Sequence, residues 1–247
     1  MSPGDDASRP GGRPRVAVVV FPGTNCEHDT AAALRRAGAE ASLVWHTEER
    51  LEGFDGVVVP GGFAHGDYLR PGAIARFSPV MEAVGRLAAL GAPVLGICNG
   101  FQVLTEARLL PGALRRNSGL RFLCETVACK VTSGRSAVTR GVAPGTVLQL
   151  PINHYEGNYT CDEATLSALR SSGSIVLTYE DTPNGSVGGI AGVCNEEGNV
   201  VGLMPHPERA SDALLGSTGG LVLLRPFVES SSRYGARTLP PAAIPAD

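Results

Sequence analysis

The segment from Pro93 to Gln102 carries the clearest chemical signal in the sequence. Cys98 stands between Gly96 and Gly100, each at one residue's remove, directly after an apolar run. This G-x-C-x-G order is the layout of a nucleophile elbow, in which a sharp strand-to-helix turn needs small flanking residues. Unpaired N–H groups at the start of the following helix favour a thiolate over a thiol. The pattern predicts a nucleophilic cysteine; a buried cysteine at an ordinary strand–helix junction is the alternative.

His206 is the strongest candidate for the base that such a thiol needs. It lies in Met204-Pro205-His206-Pro207-Glu208, directly after an apolar run. The prolines favour extended backbone, and residues two apart in an extended segment point to the same side. We therefore expect Glu208 beside His206, where a carboxylate can orient the imidazole and stabilise its protonated form.

Two other residues compete for these roles. Cys26 also follows a strand-like run and falls in the first turn of a helix that the capping pattern Thr24-x-x-Glu27 predicts. It lacks the flanking glycines of the elbow. His65 lies in the Gly-rich loop from Pro60 to Gly72, which makes it a rival general base.

The elements that must position these residues alternate between strands and helices. Helices are predicted to end near Ala37, before Gly38, and to begin at Ser78 and Pro79. This order predicts an α/β fold, with a parallel sheet, right-handed crossovers and helices on both faces. The run 15–21 is continuously apolar after Arg15 and predicts a strand buried on both faces. The other predicted strands of this sheet are 41–45, 56–59 and 93–97. After residue 112, short runs between turn residues predict added antiparallel ribbons: 125–131, 146–150, 174–179, 189–194 and 200–204.

Composition excludes several functional classes. A chain of 247 residues with 43% hydrophobic and 18% charged residues is typical of a globular protein. The net charge of −3 gives no reason to expect nucleic acid or an anionic membrane as a partner. Lys130 is the only lysine, which excludes a phosphate-binding P-loop, and no G-x-G-x-x-G is present. If the protein takes part in nucleotide chemistry, that chemistry must therefore take place on another chain.

The six cysteines show no zinc spacing, so we expect no metal site. No apolar run approaches the roughly 18 residues that a membrane helix needs. We expect a reducing cytoplasm, in which the cysteines remain thiols.

The combined motifs resemble those of class I, or triad-type, glutamine amidotransferases. Gly96 to Gln102 together with Pro205 to Glu208 is similar to the triad of that class. Four further segments narrow the resemblance to the family of glutaminase subunits of phosphoribosylformylglycinamidine synthase, an enzyme of purine biosynthesis: Pro22 to Cys26, Pro60 to Phe63, Gly66 to Arg70 and Asn184 to Ser186.

The resemblance runs from about Arg15 to Val228 and has two departures. Ala64-His65 stands where the family has Ser-Tyr. Asn153-His154-Tyr155-Glu156-Gly157 stands where Ala-His-Gly-Glu-Gly is more usual. Neither departure touches the triad, but both could alter loop closure or a partner surface.

The resemblance implies that Cys98 attacks the side-chain carboxamide of L-glutamine. Ammonia leaves, and water hydrolyses the resulting γ-glutamyl thioester. His206 would take the thiol proton, protonate the leaving ammonia and later activate water, while Glu208 holds it in place.

The tetrahedral oxyanion of this reaction needs two donors. The backbone N–H of Asn99 is one, and Gly62, in the Gly61-Gly62 pair, is the expected second, because glycine lets the backbone approach the substrate. Gln102 lies one helical turn beyond Cys98. By similarity to the family it would contact the bound glutamine.

The family also implies a class I amidotransferase-like fold, a three-layer α/β structure with a flavodoxin-like core, and partners. A large synthetase subunit, holding ATP and Mg²⁺, would consume the ammonia to convert formylglycinamide ribonucleotide to formylglycinamidine ribonucleotide. A small third subunit would bridge the two chains, and no cofactor is expected on this one. The loop from Gly61 to Gly72 and the region near His154 are the expected contact surfaces.

We expect one glutaminase domain over residues 15–229, between disordered segments at 1–14 and 230–247, whose polar composition lacks a hydrophobic pattern. Two functional alternatives remain at this level. One is a thiol hydrolase or protein-repair enzyme that acts alone. The other is a non-catalytic module that keeps the fold as a binding surface.

Overall fold

The computed structural model describes residues 12–238 and contains strands in two sheets, with helices around the larger one. No helix within this range has both the length and the apolar character that crossing a bilayer requires. The strands are β1 (Arg15–Val20), β2 (Glu40–Trp45), β3 (Gly56–Val59), β4 (Val94–Ile97), β5 (Ala113–Arg115), β6 (Leu123–Val131), β7 (Val147–His154), β8 (Asn158–Thr160), β9 (Ile175–Tyr179), β10 (Ile190–Cys194) and β11 (Val200–Leu203). The α-helices are α1 (Glu27–Ala37), α2 (Pro79–Ala89), α3 (Asn99–Glu106), α4 (Glu163–Ser172) and α5 (Leu221–Thr238).

The large sheet has nine strands in the order β2-β1-β3-β4-β11-β10-β9-β6-β7. The first five run parallel, and the remaining four add an antiparallel extension. β5 and β8 form a separate antiparallel pair. In β1 the residues from Val16 to Val19 are fully buried, as expected for a parallel strand covered on both faces.

Helices cover both faces of the parallel strands. A Cβ atom added to Gly56 in β3 would meet Ser231 of α5. A Cβ added to Gly96 in β4 would instead meet Gly100 of α3. Gly96 pairs with Val59, three residues beyond Gly56, and residues an odd number apart in a strand face opposite sides. The two helices therefore lie on opposite faces, and the predicted three-layer α/β fold is confirmed.

Strand β11 occupies a position that the sequence pattern did not indicate. The sequence pattern predicts residues 200–204 as part of the antiparallel ribbons. In the structure this strand is antiparallel only to β10 and lies parallel to β4. Gly202 pairs with Gly96, and Leu203 pairs with Ile97. Because parallel strands end at the same sheet edge, the residues after Leu203 lie beside those after Ile97.

The first two helices end or begin where their glycine and proline signals predict. Gly38 closes α1 in the left-handed conformation with φ of 107°, and Pro79 follows Ser78 at the start of α2. The predicted capping box at Thr24 is wrong, because its hydroxyl accepts the N–H of Phe21 at the end of the first strand. Cys26 is the N-cap of α1 instead.

Helix α4 is not among the elements that the sequence pattern predicts. Its cap is Asp162, whose side chain accepts the N–H of Thr165 at 2.7 Å. Leu166 and Leu169 are buried and lie one turn apart. This Asp-x-x-Thr start followed by an i, i+3 apolar pair was a usable signal.

The prediction of a disordered segment from residue 230 onward is wrong for residues 230–238, which continue α5 to Thr238. Ser231 is fully buried, and its hydroxyl donates to the carbonyl of Phe227 at 3.0 Å. Gly235 lies against Asp55. The polar composition was misleading because small residues let this helix pack closely. Residues 1–11 and 239–247 lie outside the described range, while Pro14 is buried and its carbonyl accepts the N–H of Glu40.

Candidate active site

Cys98 lies in a strained turn between β4 and α3. Its backbone has φ of 50° and ψ of −104°, a conformation that costs a non-glycine residue roughly 1–3 kcal/mol. A Cβ atom on Gly100 would lie 1.8 Å from the carbonyl oxygen of Val59, and one on Gly96 would lie 2.7 Å from Gly100. The small flanking residues are therefore required by backbone packing, and the elbow geometry is confirmed.

His206 and Glu208 form a closely coupled pair at the end of β11. Nδ1 of His206 lies 2.6 Å from Oε1 of Glu208, and each residue is only 1% exposed. The expected extended backbone is wrong beyond His206, because Pro207 begins a short 3₁₀ turn that reaches Ala210. The turn brings the carboxylate to the imidazole, so the predicted pairing holds for a different local reason.

The surroundings of His206 favour its protonated form. Burial alone would lower its pKa, but the Glu208 carboxylate and the sulfur atoms of Cys98 and Cys26 raise the pKa well above its usual value. Its Nε2 atom is buried and has no hydrogen-bond partner among residues 12–238. An imidazolium beside a thiol favours the thiolate, which is the reactive form of cysteine.

Cys26 belongs to the same site, together with an arginine that is not among the predicted site residues. Arg209 donates from Nη2 to the Cys26 sulfur at 3.1 Å, and the thiol lies 3.2 Å from Oδ1 of Asn25. A Cβ on Gly61 would lie 3.1 Å from that sulfur and 2.8 Å from Cε1 of His206. The sequence indicated a possible site role for Cys26 through its position after a strand-like run. For Arg209 the only indication was its position directly after Glu208.

Cys26, His206 and Glu208 also form a grouping of metal-ligand types, with ligand atoms within 4.8 Å of one another. Sequence spacing could not reveal it, because Cys26 is remote from the other two in the chain. The contact between His206 and Glu208 is already a 2.6 Å hydrogen bond. The guanidinium of Arg209 on Cys26 opposes a cation there. The group therefore fits proton transfer better than metal binding.

The side chain of Asn99 ties the Gly-rich loop to the elbow helix. Its Oδ1 accepts the N–H of Ala64 at 3.0 Å, and its Nδ2 donates to Asp67 at 3.0 Å and Gln102 at 2.9 Å. Gln102 in turn donates to the carbonyl of Glu156 at 2.6 Å. The contact of Gln102 with substrate therefore stays a prediction, since its carboxamide is already engaged by protein groups.

The two glycines expected near the oxyanion both need to be glycine. Gly61 faces the His206 ring, where a Cβ would clash. Gly62 has φ of 141°, and a Cβ there would lie 2.7 Å from the backbone nitrogen of Asn25. The loop can thus bring its backbone next to the elbow.

His65, the rival base, is directed elsewhere. Its Nε2 atom lies 3.4 Å from the hydroxyl of Ser78. Its ring packs edge-on against His46, with centroids 5.3 Å apart. These contacts place its titratable nitrogen in a separate cluster beneath the loop.

Asp67 is an unusual carboxylate on the same loop. Burial raises its pKa to about 6, opposed by the hydrogen bond from Asn99 and supported by the charge of Glu156. Its backbone also has a positive φ of 51°. A strained loop residue with a displaced pKa is common at functional sites.

A small cavity of about 60 Å³ joins these groups. Cys98, His206, Gly62 and Gln102, all singled out from the sequence, line it. Glu208 does not line the cavity but contacts the Nδ1 atom of His206. The other lining residues are Asn25, Cys26, Phe63, Asp67, Asn153, His154, Tyr155, Glu156 and Arg209. The arrangement is suited to attack by a thiolate on an acyl carbon, with the imidazole as proton carrier.

The chain is similar in sequence and in structure to glutamine amidotransferases and to their solved relatives. Residues 13–218 match the family model of a CobB/CobQ-like glutamine amidotransferase domain. The chain is 58% identical over 211 residues to the phosphoribosylformylglycinamidine synthase subunit PurQ of Rubrobacter xylanophilus, covering 85% of this chain and 96% of the relative. It is 53% identical over 221 residues to the PurQ subunit of Alkaliphilus metalliredigens, covering 89% and 96%. It superposes with a TM-score of 0.81 on a chain of PurLQS from Thermotoga maritima, at 39% identity, covering 88% of this chain and 98% of that one.

Proposed function

The chain belongs to the glutamine amidotransferase family, as a PurQ-type subunit of phosphoribosylformylglycinamidine synthase, and we propose that Cys98, His206 and Glu208 carry its glutaminase reaction. The activity is hydrolysis of L-glutamine to glutamate and ammonia for purine biosynthesis. The observation that carries the assignment of residues is the junction of β4 and β11, which places a strained cysteine beside a buried His–Glu pair.

In the first half-reaction the Cys98 thiolate attacks the carboxamide carbon of glutamine. A C–S bond forms, and the carbonyl electrons move to oxygen. The His206 imidazolium gives its proton to the nitrogen, the C–N bond breaks, and ammonia leaves. Glu208 keeps the imidazole oriented and stabilises its charge before that transfer.

In the second half-reaction His206, now neutral, takes a proton from water. The resulting hydroxide attacks the thioester carbon, and the collapse of this second tetrahedral intermediate breaks the C–S bond. Glutamate leaves, and the thiolate–imidazolium pair is restored. Each histidine proton given to ammonia is thus replaced from water, so the cycle balances.

The developing oxyanion in both steps needs fixed donors. We assign them to the backbone N–H groups of Asn99, at the start of α3, and Gly62, in the loop. The hydrogen bonds of Asn99 to Ala64 and Asp67 hold these two segments together. We assign Gln102 to the substrate contact at the same wall.

The ammonia is used by a synthetase subunit, and a small third subunit completes the assembly, as in the PurLQS relative. We assign ATP and Mg²⁺ to the synthetase, because the sequence of this chain contains no phosphate-binding P-loop. We place the reaction in a reducing cytoplasm, because the nucleophile and the other cysteines of the described chain are free thiols.

The test uses the assembled complex and two matched cysteine variants. Cys98→Ser should lower glutamine-dependent synthesis by at least about a thousandfold, because serine is a far weaker nucleophile here. Synthesis supplied with ammonium salt should stay within about threefold of wild type, since the synthetase site is untouched. Cys26→Ser, which changes the second thiol, should keep most of the glutamine-dependent activity. The assignment would be overturned if Cys98→Ser lost both the glutamine-dependent and the ammonia-dependent activity. It would also be overturned if Cys26→Ser lost glutamine-dependent activity while Cys98→Ser kept it.

A further inference from the structure

His154, the last residue of β7, has a place in the cavity that the mechanism above leaves unexplained. It directly follows Asn153, whose carbonyl oxygen lies 3.7 Å from the Cys98 sulfur. The histidine lines the same cavity and is only 3% exposed. It is therefore a second buried imidazole beside the nucleophile, distinct from His206.

The hydrogen bonds of Asn117 fix which nitrogen of His154 carries a proton. The amide nitrogen of Asn117 donates to the carbonyls of Arg121 at 2.9 Å and His154 at 3.0 Å. Its Oδ1 accepts the N–H of Gly157 at 3.1 Å, so the amide cannot be turned around without facing two donors to each other. The same Oδ1 lies 3.1 Å from Nδ1 of His154. Nδ1 must therefore be the protonated nitrogen.

The other nitrogen is consequently a bare acceptor. Nε2 of His154 is buried and has no hydrogen-bond partner in the described chain. Burial, and next the nearby charge of His206, lower the pKa of His154 to about 4. The ring therefore stays neutral beside the protonated His206. A buried acceptor without a donor is costly, and because His154 lines the cavity, a donor group on a bound ligand is the partner that fits this nitrogen.

The ring is also held in one orientation. A Cβ on Gly157 would lie 2.2 Å from Cε1 of His154, so the Gly157 backbone packs directly on the imidazole. Asn117 holds the opposite nitrogen. An acceptor with so little freedom can distinguish a ligand donor from a ligand acceptor, because it cannot rotate to adapt.

We propose that Nε2 of His154 accepts a hydrogen bond from the carboxamide N–H of bound glutamine and so distinguishes glutamine from acyl compounds that lack this N–H. The proposal rests on the glutaminase function proposed above. The carboxamide is the part of the substrate that must lie against Cys98, next to Asn153 and His154. Glutamate would place an oxygen lone pair against the Nε2 lone pair, which neither group can relieve by proton transfer at neutral pH.

The experiment compares two acyl substrates in the assembled complex. L-glutamine has the amide N–H, whereas L-glutamic acid γ-methyl ester forms the same thioester with Cys98 but has no N–H at that position. His154→Phe keeps a ring of similar size and removes the acceptor. We expect kcat/KM for glutamine to fall about tenfold or more, and that for the ester to change less than about threefold. His65→Phe, on the loop histidine that faces Ser78, is the matched control and should leave the ratio between the substrates unchanged.

Ester turnover also reports on folding, because a collapsed cavity would lose both activities. His154→Gln supplies a carbonyl acceptor and should restore part of the preference for glutamine. Equal losses on both substrates in His154→Phe and His154→Gln would show a structural role and overturn the proposal. A wild-type complex that turned over the ester but not glutamine would instead contradict the proposed glutaminase function.

Discussion

The packing of Gly100 against β3 gives the sharpest quantitative prediction. A Cβ atom at this position would lie 1.8 Å from the carbonyl oxygen of Val59, whereas real Cβ contacts stay above 3.0 Å. In Gly100→Ala the start of α3 must therefore move away from β3 by roughly 1.2 Å, since a close-packed interior offers no free space. We expect this overpacking to cost about 1–3 kcal/mol of unfolding free energy.

The larger effect should be on catalysis. Cys98 lies two residues before Gly100, and Asn99, the proposed oxyanion donor, lies between them. A displacement of about 1 Å at a reacting centre can lower the rate about a hundredfold. We therefore expect kcat/KM for glutamine to fall about a hundredfold in a variant that still folds.

Gly85→Ala is the matched control. Gly85 lies in α2, and a Cβ there meets nothing within 4 Å. This substitution should leave glutaminase activity unchanged and stabilise the protein by up to about 1 kcal/mol through helix propensity. Steady-state kinetics and urea unfolding of both variants make the comparison. Wild-type kinetics for Gly100→Ala would refute the argument that the elbow depends on this contact.

Two further predictions concern charges in the site. Glu208→Gln removes the carboxylate that raises the pKa of His206, so kcat/KM for glutamine should fall roughly 10–100-fold, as for loss of a charge-assisted hydrogen bond; an unshifted pH profile of Cys98 alkylation would contradict this role. Asp67 binds its proton more tightly in the folded protein, with a pKa of about 6 against 3.8 for an ordinary aspartate, so its contribution to stability falls as pH rises between those values. Asp67→Asn should therefore gain stability relative to wild type between about pH 4 and about pH 7 in urea unfolding, and a constant difference would disprove the burial argument.

Local features of the site were predictable from the sequence because each is set within a few residues. Gly96 and Gly100 reveal the elbow through their spacing about Cys98. The prolines and Glu208 around His206 indicate the His206–Glu208 pair, although the backbone there forms a turn instead of the expected extended segment. Gly38 ends a helix because glycine, unlike other residues, adopts the left-handed conformation without a steric cost.

Features that depend on distant partners were misread or missed. The hydroxyl of Thr24 was expected to cap α1, but it accepts a hydrogen bond from the N–H of Phe21, directly after β1. The polar composition of the segment after residue 229 suggested disorder. Ser231 instead packs against β3 at Gly56, where the absence of a side chain leaves room for the serine. Arg209 gave no sequence signal, because its meaning lies in its contact with Cys26.

By itself, therefore, the sequence determined the proposed nucleophile, its proposed histidine and carboxylate partners, and the alternation of strands and helices, since these follow from local spacing and periodicity. Only the tertiary structure decided that β11 joins the parallel sheet beside β4, which brings Cys98 and His206 together. It alone fixed the proton of His154 through Asn117. The physical reason is that strand order and side-chain hydrogen bonding depend on partners far away in the chain, which no local pattern specifies.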